Sequence, residues 1–325
     1  MRFEPKPEFK ERISKLLGGK EDEEKFWEII RTETPDSIRC NTLKMTPEKL
    51  KERLEKKGWK IRQPFSEFPE IMIIDNRLTM GELGKSKEHL LGYYYVQEIS
   101  SMLPILALRP QAGEVILDVC ASPGSKTSQA AAMMNNQGTI IANDNNIGRI
   151  KILAANLERC GAMNTILTRM DGAFLCQKLR NKTHMKFDKI LVDAPCSGEG
   201  TLRKSPKTLL MWNKKVIQNL SGVQKKLAIE AFKILKVGGE MVYSTCTLSP
   251  EEDEEVVDFL KSKFDFEIEE IRLPVKTRSG LDCWEGKCYD KEIGKAKRLY
   301  PQDNNTDGFF LCKIKKLSEK GCEDE

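Results

Sequence analysis

Two cysteines in this sequence each follow a short apolar run, and an acid accompanies one of them. The run Lys189–Val192 precedes Asp193 and Cys196, with a proline between them, and the run Gly239–Thr245 leads directly into Cys246. Because a helix cannot continue through proline, the acid and the first thiol are expected on a stiff loop after a strand. Thiolates are good nucleophiles and carboxyl groups exchange protons, so the pattern predicts covalent catalysis with acid–base assistance.

A second candidate site is a small-residue turn near the middle of the chain. EVILDVC (114–120) predicts a strand, ASPGSK (121–126) a tight turn, and the residues from 127 to 134 the start of a helix. This layout is typical of nucleotide-type cofactor sites, in which backbone N–H groups approach the ligand. Neither GxGxxG nor GxxxxGK[ST] is present, so the turn fits neither the dinucleotide fingerprint nor the P-loop.

Acids follow the next predicted strands in the same register. Asp144 ends the second strand and Asp171 follows the third. An acid at the first position can accept hydrogen bonds from both hydroxyls of a ribose. We expect the second acid to receive the amino group of an adenine. One carboxylate after each of several successive strands predicts a site for S-adenosylmethionine.

Regular alternation of strands and helices surrounds both candidate sites. Strands are predicted at 114–119, 139–143, 165–169, 188–192 and 239–245, and a closing pair at 266–271 and 308–313. This alternation predicts an α/β domain with a parallel, doubly wound sheet, which binds ligands beyond the carboxyl ends of its strands.

We divide the chain into four segments on the basis of these patterns. They are a helical segment at 1–35, a small α+β module at 36–88, the α/β domain with its connector helix at 89–316, and a frayed tail at 317–325. Within the module, Thr46 as N-cap, Pro47 as first helical residue and Gly58 beyond the end predict one helix.

Composition narrows the class of protein. Of 325 residues, 39% are hydrophobic and 32% charged, which describes a soluble globular protein with a large core. No apolar run approaches the ~18 residues of a membrane span, and the N-terminus lacks the apolar stretch of a signal peptide. We therefore expect a cytoplasmic protein that crosses no membrane. Its ten cysteines are expected to be reduced thiols and to bind no metal.

Charge is unevenly distributed along the chain. The stretch 201–226 contains seven lysines and arginines and no acid, whereas 251–270 is rich in acids. Because the basic stretch directly follows Cys196, we expect it to hold a polyanion beside the active site. The acidic stretch is expected to be the solvated face of a helix, with acids at its positive end.

These motifs together resemble those of the RNA (cytosine-5) methyltransferases of the RsmB/Nop/Sun family, in an archaeal tRNA-type member. The matching segments are GYYYVQEISSMLP (92–104), DVCASPGSKTSQ (118–129), Asp144, Asp171, DAPCSGEGT (193–201), YSTCTLSPEEDEE (243–255) and RLYPQDNNTDGFF (298–310). Ser125 departs from the pattern, since family members more often carry a glycine there. The resemblance implies a Rossmann-like class I S-adenosylmethionine-dependent methyltransferase domain with a small N-terminal α+β, RNA-binding-like module.

The paired thiols suit that reaction. A thiolate that adds to C6 of cytosine raises the electron density at C5, which can then accept a methyl group. Hydrogen bonding at N3 assists the addition, and a second thiol can act as, or position, the base needed for release. The residues alone leave the order of the thiols open, because DNA cytosine-5 methyltransferases attack with a Pro-Cys cysteine like Pro195-Cys196. The resemblance assigns Cys246 as nucleophile and Cys196 to release.

The resemblance also implies the other site residues. Asp193 is expected at cytosine N3, and Lys126 against the base or nearby backbone. The expected cofactor-binding residues are Cys120, Ala121, Ser122, Pro123, Gly124, Ser125, Lys126, Asp144, Arg149, Asp171 and Asp193.

The same resemblance favours tRNA as the substrate, with ribosomal RNA as the alternative, and a monomeric enzyme. Two other classes stay open. A noncatalytic RNA-binding or assembly protein would be expected to lose a motif cysteine or Asp193, and all are present. A methyltransferase acting on a small molecule or a protein would need neither paired thiols nor an acid-free basic stretch.

Overall fold

The computed structural model describes residues 4–322. The helices are α1 (Pro7–Leu17), α2 (Lys20–Ile29), α3 (Pro47–Glu55), α4 (Glu82–Lys85), α5 (Lys87–Leu90), α6 (Ile99–Leu108), α7 (Ser125–Met133), α8 (Ile147–Cys160), α9 (Gly172–Thr183), α10 (Thr208–Met211), α11 (Lys214–Lys233), α12 (Glu254–Lys261) and α13 (Pro301–Asn304). The strands are β1 (Asp36–Cys40), β2 (Ile61–Arg62), β3 (Ile71–Ile74), β4 (Tyr94–Val96), β5 (Val115–Asp118), β6 (Thr139–Asp144), β7 (Thr165–Arg169), β8 (Phe187–Asp193), β9 (Leu235–Thr245), β10 (Phe266–Glu269), β11 (Arg278–Ser279), β12 (Cys283–Trp284), β13 (Lys287–Cys288), β14 (Lys297–Leu299) and β15 (Phe309–Lys316).

The large sheet has the strand order β11-β14-β15-β9-β8-β5-β6-β7, with β10 beside β15. The five predicted strands β5 to β9 pair in parallel, which confirms the α/β class. Because β15 runs antiparallel to β9, the sheet is mixed rather than wholly parallel. The predicted closing pair is present as β10 and β15.

Both faces of this sheet are covered, as the unbroken apolar strands require. Leu117 and Ile190 belong to one buried cluster, whereas Ile116 and Leu191, their neighbours in sequence, belong to another. Successive strand residues point to opposite faces, so the two clusters are the two layers of a doubly wound domain. The carboxyl ends of β5, β6, β8 and β9 lie along one edge, where both candidate sites were predicted.

The N-terminal module is an antiparallel sheet with the order β2-β3-β1-β4. Its helix α3 begins as predicted, with Pro47 at the first position and the Thr46 side chain accepting a hydrogen bond from the backbone N–H of Lys49 at 3.4 Å. The fourth strand, β4, lies beyond the boundary that we predicted at residue 88. The module therefore extends to residue 96, directly before the connector helix α6.

The predicted helical segment and tail are docked on the α/β domain. The rings of Phe9 and Trp212 lie 5.3 Å apart, and Phe26 is buried in the same cluster. At the other end, Glu319 forms ion pairs with Lys186 at 3.1 Å and with Lys316 at 2.7 Å. Residues 1–3 of the predicted helical segment and 323–325 of the predicted tail lie outside the described residues.

The expectation that all ten cysteines are reduced is wrong for one pair. Cys283 and Cys288 form a disulfide within the short β12–β13 hairpin, where the strand register places them directly opposite each other. The turn between them has positive φ at Glu285 and Gly286, as two-residue hairpin turns require. This hairpin was not predicted from the sequence, so there was no reason to place the two cysteines opposite each other.

Candidate active site

The two predicted thiols meet at the carboxyl ends of adjacent parallel strands. Strands β8 and β9 are in register, with Asp193 beside Ser244, and the loops that follow them bring Cys196 Sγ to 3.2 Å from Cys246 Sγ. The hydrogen bond with Cys246, together with burial, holds the pKa of Cys196 well above its ordinary value. The two sulfur atoms are within hydrogen-bond distance of each other, and either thiol can be the donor.

Close contact between two glycines fixes the loop around Cys246. The backbone N–H of Gly200 donates to the carbonyl of Cys246 at 2.9 Å, and that of Gly308 donates to the carbonyl of Gly200 at 2.9 Å. A Cβ atom at Gly200 would lie 2.1 Å from the Gly308 oxygen, so no side chain fits there. The loop after Cys196 and the residue before β15 are thus joined to Cys246 by backbone contacts at these two glycines.

Asp193 and Lys126 are brought together as one ion pair. Lys126 Nζ lies 2.7 Å from Asp193 Oδ2, and Ser244 Oγ donates to Asp193 Oδ1 at 2.8 Å. Lys126 is only 8% exposed and also donates to Ser101 Oγ at 3.1 Å. A lysine buried against a carboxylate at the carboxyl edge of the sheet belongs to the site rather than to the surface.

The predicted cofactor turn is held by side chains from several parts of the chain. Its Ser122 carbonyl accepts a hydrogen bond from Arg149 at 2.8 Å, and its Pro123 carbonyl accepts from Asn156 at 2.8 Å and from the Tyr95 hydroxyl at 3.2 Å. Gly124 has a φ of 102° and caps the N-terminus of α7. The turn therefore presents the positive end of a helix at the strand edge.

The two predicted strand-end acids have different surroundings. Asp144 is buried; Oδ1 accepts from the backbone N–H of Asn146 at 3.0 Å, and Oδ2 lies 3.3 Å from Arg149. Asp171 is exposed and caps α9 by accepting from the backbone N–H of Phe174 at 3.0 Å. Arg149 thus joins Asp144 to the turn, whereas Asp171 has one carboxylate oxygen left for a ligand.

Two buried polar atoms beside the turn have no partner within residues 4–322. They are Asp118 Oδ1 and Ser122 Oγ. The other oxygen of Asp118 accepts from the Thr127 hydroxyl at 2.7 Å, and burial raises the pKa of Asp118 to about 7. Unsatisfied buried groups near a helix N-terminus and a buried acid fit a ligand that carries hydroxyl and amino groups, such as S-adenosylmethionine. Asp118 was missing from the predicted set, although its position at the end of β5 was a usable signal.

The acidic stretch is not the solvated face that we expected. Residues Glu251–Glu254, here called the acidic turn, include three side chains that are fully buried: Glu252, Asp253 and Glu254. Arg298 lies 2.6 Å from one oxygen of Glu254, and the Thr245 hydroxyl donates to Asp253 at 2.5 Å. These acids are buried because each has a partner, and Arg298, the partner of Glu254, lies in a distant segment of the chain.

The basic stretch is only partly available to a polyanion. Arg203 is buried and donates to the carbonyl of Glu33 at 2.6 Å and to the side chain of Asn305 at 2.7 Å. Lys225 forms an ion pair with Glu255 at 2.6 Å. Lys207, Lys215 and Lys226 are exposed. The prediction therefore narrows to the exposed lysines, while Arg203 joins the N-terminal helices to the α/β domain.

Residues 4–322 contain no group of three or more His, Cys, Asp or Glu side chains that could hold a metal ion. None of the described helices is long and apolar enough to cross a membrane.

Comparison with known proteins identifies the family. The model for 16S rRNA methyltransferase RsmB/F matches residues 105–315, and the model for the N-terminal domain of 16S rRNA methyltransferase RsmF matches residues 6–99. A tRNA (cytosine(49)-C(5))-methyltransferase from Pyrococcus abyssi is 42% identical over 94% of both chains. The ribosomal RNA small subunit methyltransferase F of Vibrio campbellii is 38% identical over 95% of this chain, which spans only 63% of that protein.

A solved structure agrees with these matches. The methyltransferase homologue from Pyrococcus horikoshii superimposes with a TM-score of 0.82 at 34% identity, over 94% of both chains. The fold, the paired thiols and the matched models lead to one conclusion: the chain belongs to the RsmB/F family of S-adenosylmethionine-dependent RNA (cytosine-5) methyltransferases.

Proposed function

We propose that this protein methylates C5 of a cytosine in tRNA through a covalent bond between Cys246 and C6 of the base. The observation that carries the proposal is the 3.2 Å contact between the two sulfur atoms at the ends of adjacent strands. A noncatalytic RNA-binding protein has no need of one thiol held against another. A small-molecule methyltransferase has no need of the pair either.

The residues divide the reaction between them. S-adenosylmethionine, when bound, supplies an electrophilic methyl group. Cys246 loses its proton to solvent and adds to C6 as the thiolate. Asp193, ion-paired with Lys126 in the resting site, takes up a proton from solvent as the base enters and passes it to N3. Lys126, 2.7 Å away, stabilises the negative charge that returns to the Asp193 carboxylate. After methyl transfer, the C5 proton passes to solvent by way of Cys196, and the electron pair of the C5–H bond forms the C5–C6 double bond as Cys246 leaves as its thiolate. N3 then returns its proton to solvent through Asp193, and the aromatic ring is restored.

We assign the cofactor to the turn and the strand ends beside it. Cys120, Ala121, Ser122, Pro123, Gly124 and Ser125 form the wall of this site, together with Lys126 and Arg149. Asp144 accepts hydrogen bonds from the ribose hydroxyls in this proposal, and the free oxygen of Asp171 accepts one from the adenine amino group. The unpartnered oxygen of Asp118 suits the ammonium group of the methionine moiety.

The choice of tRNA rests on the relatives. The Pyrococcus abyssi protein, whose name places its action on cytosine 49 of tRNA, has 94% of its length covered by this chain. The Vibrio campbellii protein, named for ribosomal RNA, has 63% covered. We further propose that the enzyme works as a monomer in the cytoplasm, that residues 36–96 contact the RNA, and that the target base is flipped out of its stack.

Covalent trapping tests the proposal. Cys196→Ala, incubated with S-adenosylmethionine and unmodified tRNA transcripts, should accumulate a protein–RNA band on a denaturing gel, because Cys246 can attack but release is blocked. The Cys196→Ala/Cys246→Ala double variant is the control and should give no band. Cys246→Ala alone should bind the cofactor and lack methyl transfer.

Each alternative outcome has a distinct meaning. A band with ribosomal RNA but not with tRNA would overturn the substrate and keep the chemistry. Methyl transfer retained by Cys246→Ala would overturn the assignment of the nucleophile. No band with either RNA would remove the covalent mechanism.

A further inference from the structure

A buried carboxylate lies between the two thiol loops. Glu252 is fully buried, and its Oε2 accepts a hydrogen bond at 2.9 Å from the backbone N–H of Ser197, the residue after Cys196. Its Oε1 lies 3.5 Å from the hydroxyl of Thr247, the residue after Cys246. The hydroxyls of Ser197 and Thr247 are themselves 2.8 Å apart. One side chain therefore touches the residue that follows each thiol.

A glutamine completes this arrangement from the other side. Gln224 in α11 is fully buried, and its Nε2 donates to Glu252 Oε2 at 2.9 Å and to the carbonyl of Pro195 at 2.8 Å. Pro195 and Ser197 flank Cys196, so both neighbours of that thiol are held through the Glu252–Gln224 pair. Cys246 has in addition the backbone hydrogen bond from Gly200, which does not involve Glu252. Loss of Glu252 should therefore affect Cys196 more than Cys246.

We propose that Glu252 is a positioning residue that fixes Cys196 against Cys246 and so controls the release step. The inference rests on the proposed function, in which Cys196 acts after methyl transfer. Glu252 does not touch the base or the cofactor turn, and it acts through the loop that carries the thiol. Its burial requires all of these donors, because an unpaired carboxylate in this position would be strongly unfavourable.

The substitution Glu252→Gln tests this role with little change in shape. Ser197 N–H and Gln224 Nε2 both donate to Oε2, so the glutamine can keep them only with its amide oxygen on that side and its NH2 toward Thr247. A neutral amide oxygen accepts these two hydrogen bonds more weakly than a carboxylate does, which loosens the hold on the Cys196 loop. We expect kcat to fall at least tenfold and the covalent protein–RNA adduct to accumulate, as with Cys196→Ala. The Kd values for S-adenosylmethionine and for tRNA, measured by equilibrium binding, should stay within about twofold of wild type, and the KM for tRNA should fall with kcat. A purely structural defect would lower adduct formation and cofactor affinity together.

Glu255→Gln is the matched control. Glu255 lies next to the acidic turn and forms ion pairs with Lys225 and Lys287, without touching either thiol loop. It should show wild-type turnover and no excess adduct. A second variant, Thr247→Val, removes only the hydroxyl between the loops and should trap adduct in the same way, to a smaller extent. It keeps the test decisive if Glu252→Gln fails to fold.

The outcomes separate this inference from the proposed function. Adduct trapped by Cys196→Ala, with none above wild type in either Glu252→Gln or Thr247→Val, would overturn the positioning role and keep the mechanism. No adduct in Cys196→Ala would overturn the mechanism itself. Adduct in Glu255→Gln equal to that in Glu252→Gln would also contradict the inference, because a general loss of negative charge would then suffice.

Discussion

The two halves of the site are held in place by opposite charges. The thiol half, formed by the loops after β8 and β9, is fixed by the buried acids of the acidic turn. The cofactor half, formed by the turn from 120 to 126, is fixed by arginines. The difference teaches that Cys246 and the acidic turn lie within one short segment, whereas the cofactor turn is held by residues of the N-terminal module.

Arg39 and Tyr95 of the module make this dependence concrete. They are opposite each other in the β1–β4 pair, and the guanidinium lies 5.6 Å from the ring centroid. Arg39 is 2% exposed and donates to the carbonyl of Ser125 at 2.7 Å and to the hydroxyl of Ser128 at 2.8 Å. Burial lowers the pKa of Arg39 to about 10. The module and the cofactor turn therefore form one packed unit.

Asp144→Ala should produce the largest difference between the two halves, because it should weaken cofactor binding and leave the reactivity of the thiols unchanged. The change removes the acceptor proposed for the ribose and the partner of Arg149, which also holds the Ser122 carbonyl. Loss of one or two charged hydrogen bonds should weaken S-adenosylmethionine binding by about 2–4 kcal/mol, measured by calorimetry. The alkylation rate of Cys246 in the free enzyme should not change, because the thiol half does not contact Asp144. An unchanged Kd would show that the ribose lies elsewhere.

The predictability of the site follows the same division. The thiols, Asp193 and the strand-end acids could be predicted because apolar runs of strand length end at those residues, and parallel strands bring such ends together. The short distance between the two sulfur atoms could not be predicted, because it depends on the contact between Gly200 and Gly308, which are more than one hundred positions apart. Local sequence patterns therefore predict which residues lie at the edge of the sheet, whereas the distances between their side chains depend on tertiary contacts.

The acidic turn shows where local patterns mislead. A run of acids at a helix start is typical of a solvated surface, and its helix, α12, does begin there with Glu254 and Glu255 in the first turn. The burial of the acidic turn depends on two arginines from other parts of the chain. Arg12 pairs with Glu251, and Arg298 pairs with Glu254. For the basic stretch the error was the opposite one. It was expected to be available to a polyanion, but Arg203 is buried and hydrogen-bonded to residues distant in sequence.

An intermediate effect is expected from Arg39→Met. The variant keeps a long apolar side chain but loses the hydrogen bonds to the cofactor turn, so affinity for S-adenosylmethionine should fall by about 1–2 kcal/mol, or roughly 5- to 30-fold. Arg39→Lys should recover little, because an ammonium group cannot reproduce the forked contacts of a guanidinium.

Lys44→Met is the matched control for this variant. Lys44 also donates across to the α/β domain, to the carbonyl of Arg159 at 2.7 Å, but does not touch the turn. Its cofactor affinity should equal that of wild type. Equal losses in both variants would mean that the turn responds to docking of the module as a whole rather than to the hydrogen bonds of Arg39.

The smallest effect is expected in the pH dependence of stability, where the halves should behave alike. Burial raises the pKa of Glu252 to about 7 from 4.5, and that of Asp118 to about 7 from 3.8. The charge of nearby Glu199 raises the pKa of Glu252 further. Near Asp118, the charge of Asp193 raises the pKa of Asp118 and that of Lys126 lowers it. Folded protein thus binds these two protons more tightly than unfolded protein does.

The sign follows directly from those raised values. The stabilisation from each proton is fully present below the pKa of the unfolded chain and is lost as pH rises through about 7. Urea unfolding at intervals from about pH 5 to pH 8 should therefore show a falling free energy of unfolding, with a shallower slope in Glu252→Gln and in Asp118→Asn. Saturating S-adenosylmethionine should alter the Asp118 contribution alone, because only Asp118 of these two groups lies at the proposed cofactor site. An equal change in both slopes would mean that the two halves are coupled through the Asp193–Lys126 pair rather than held independently.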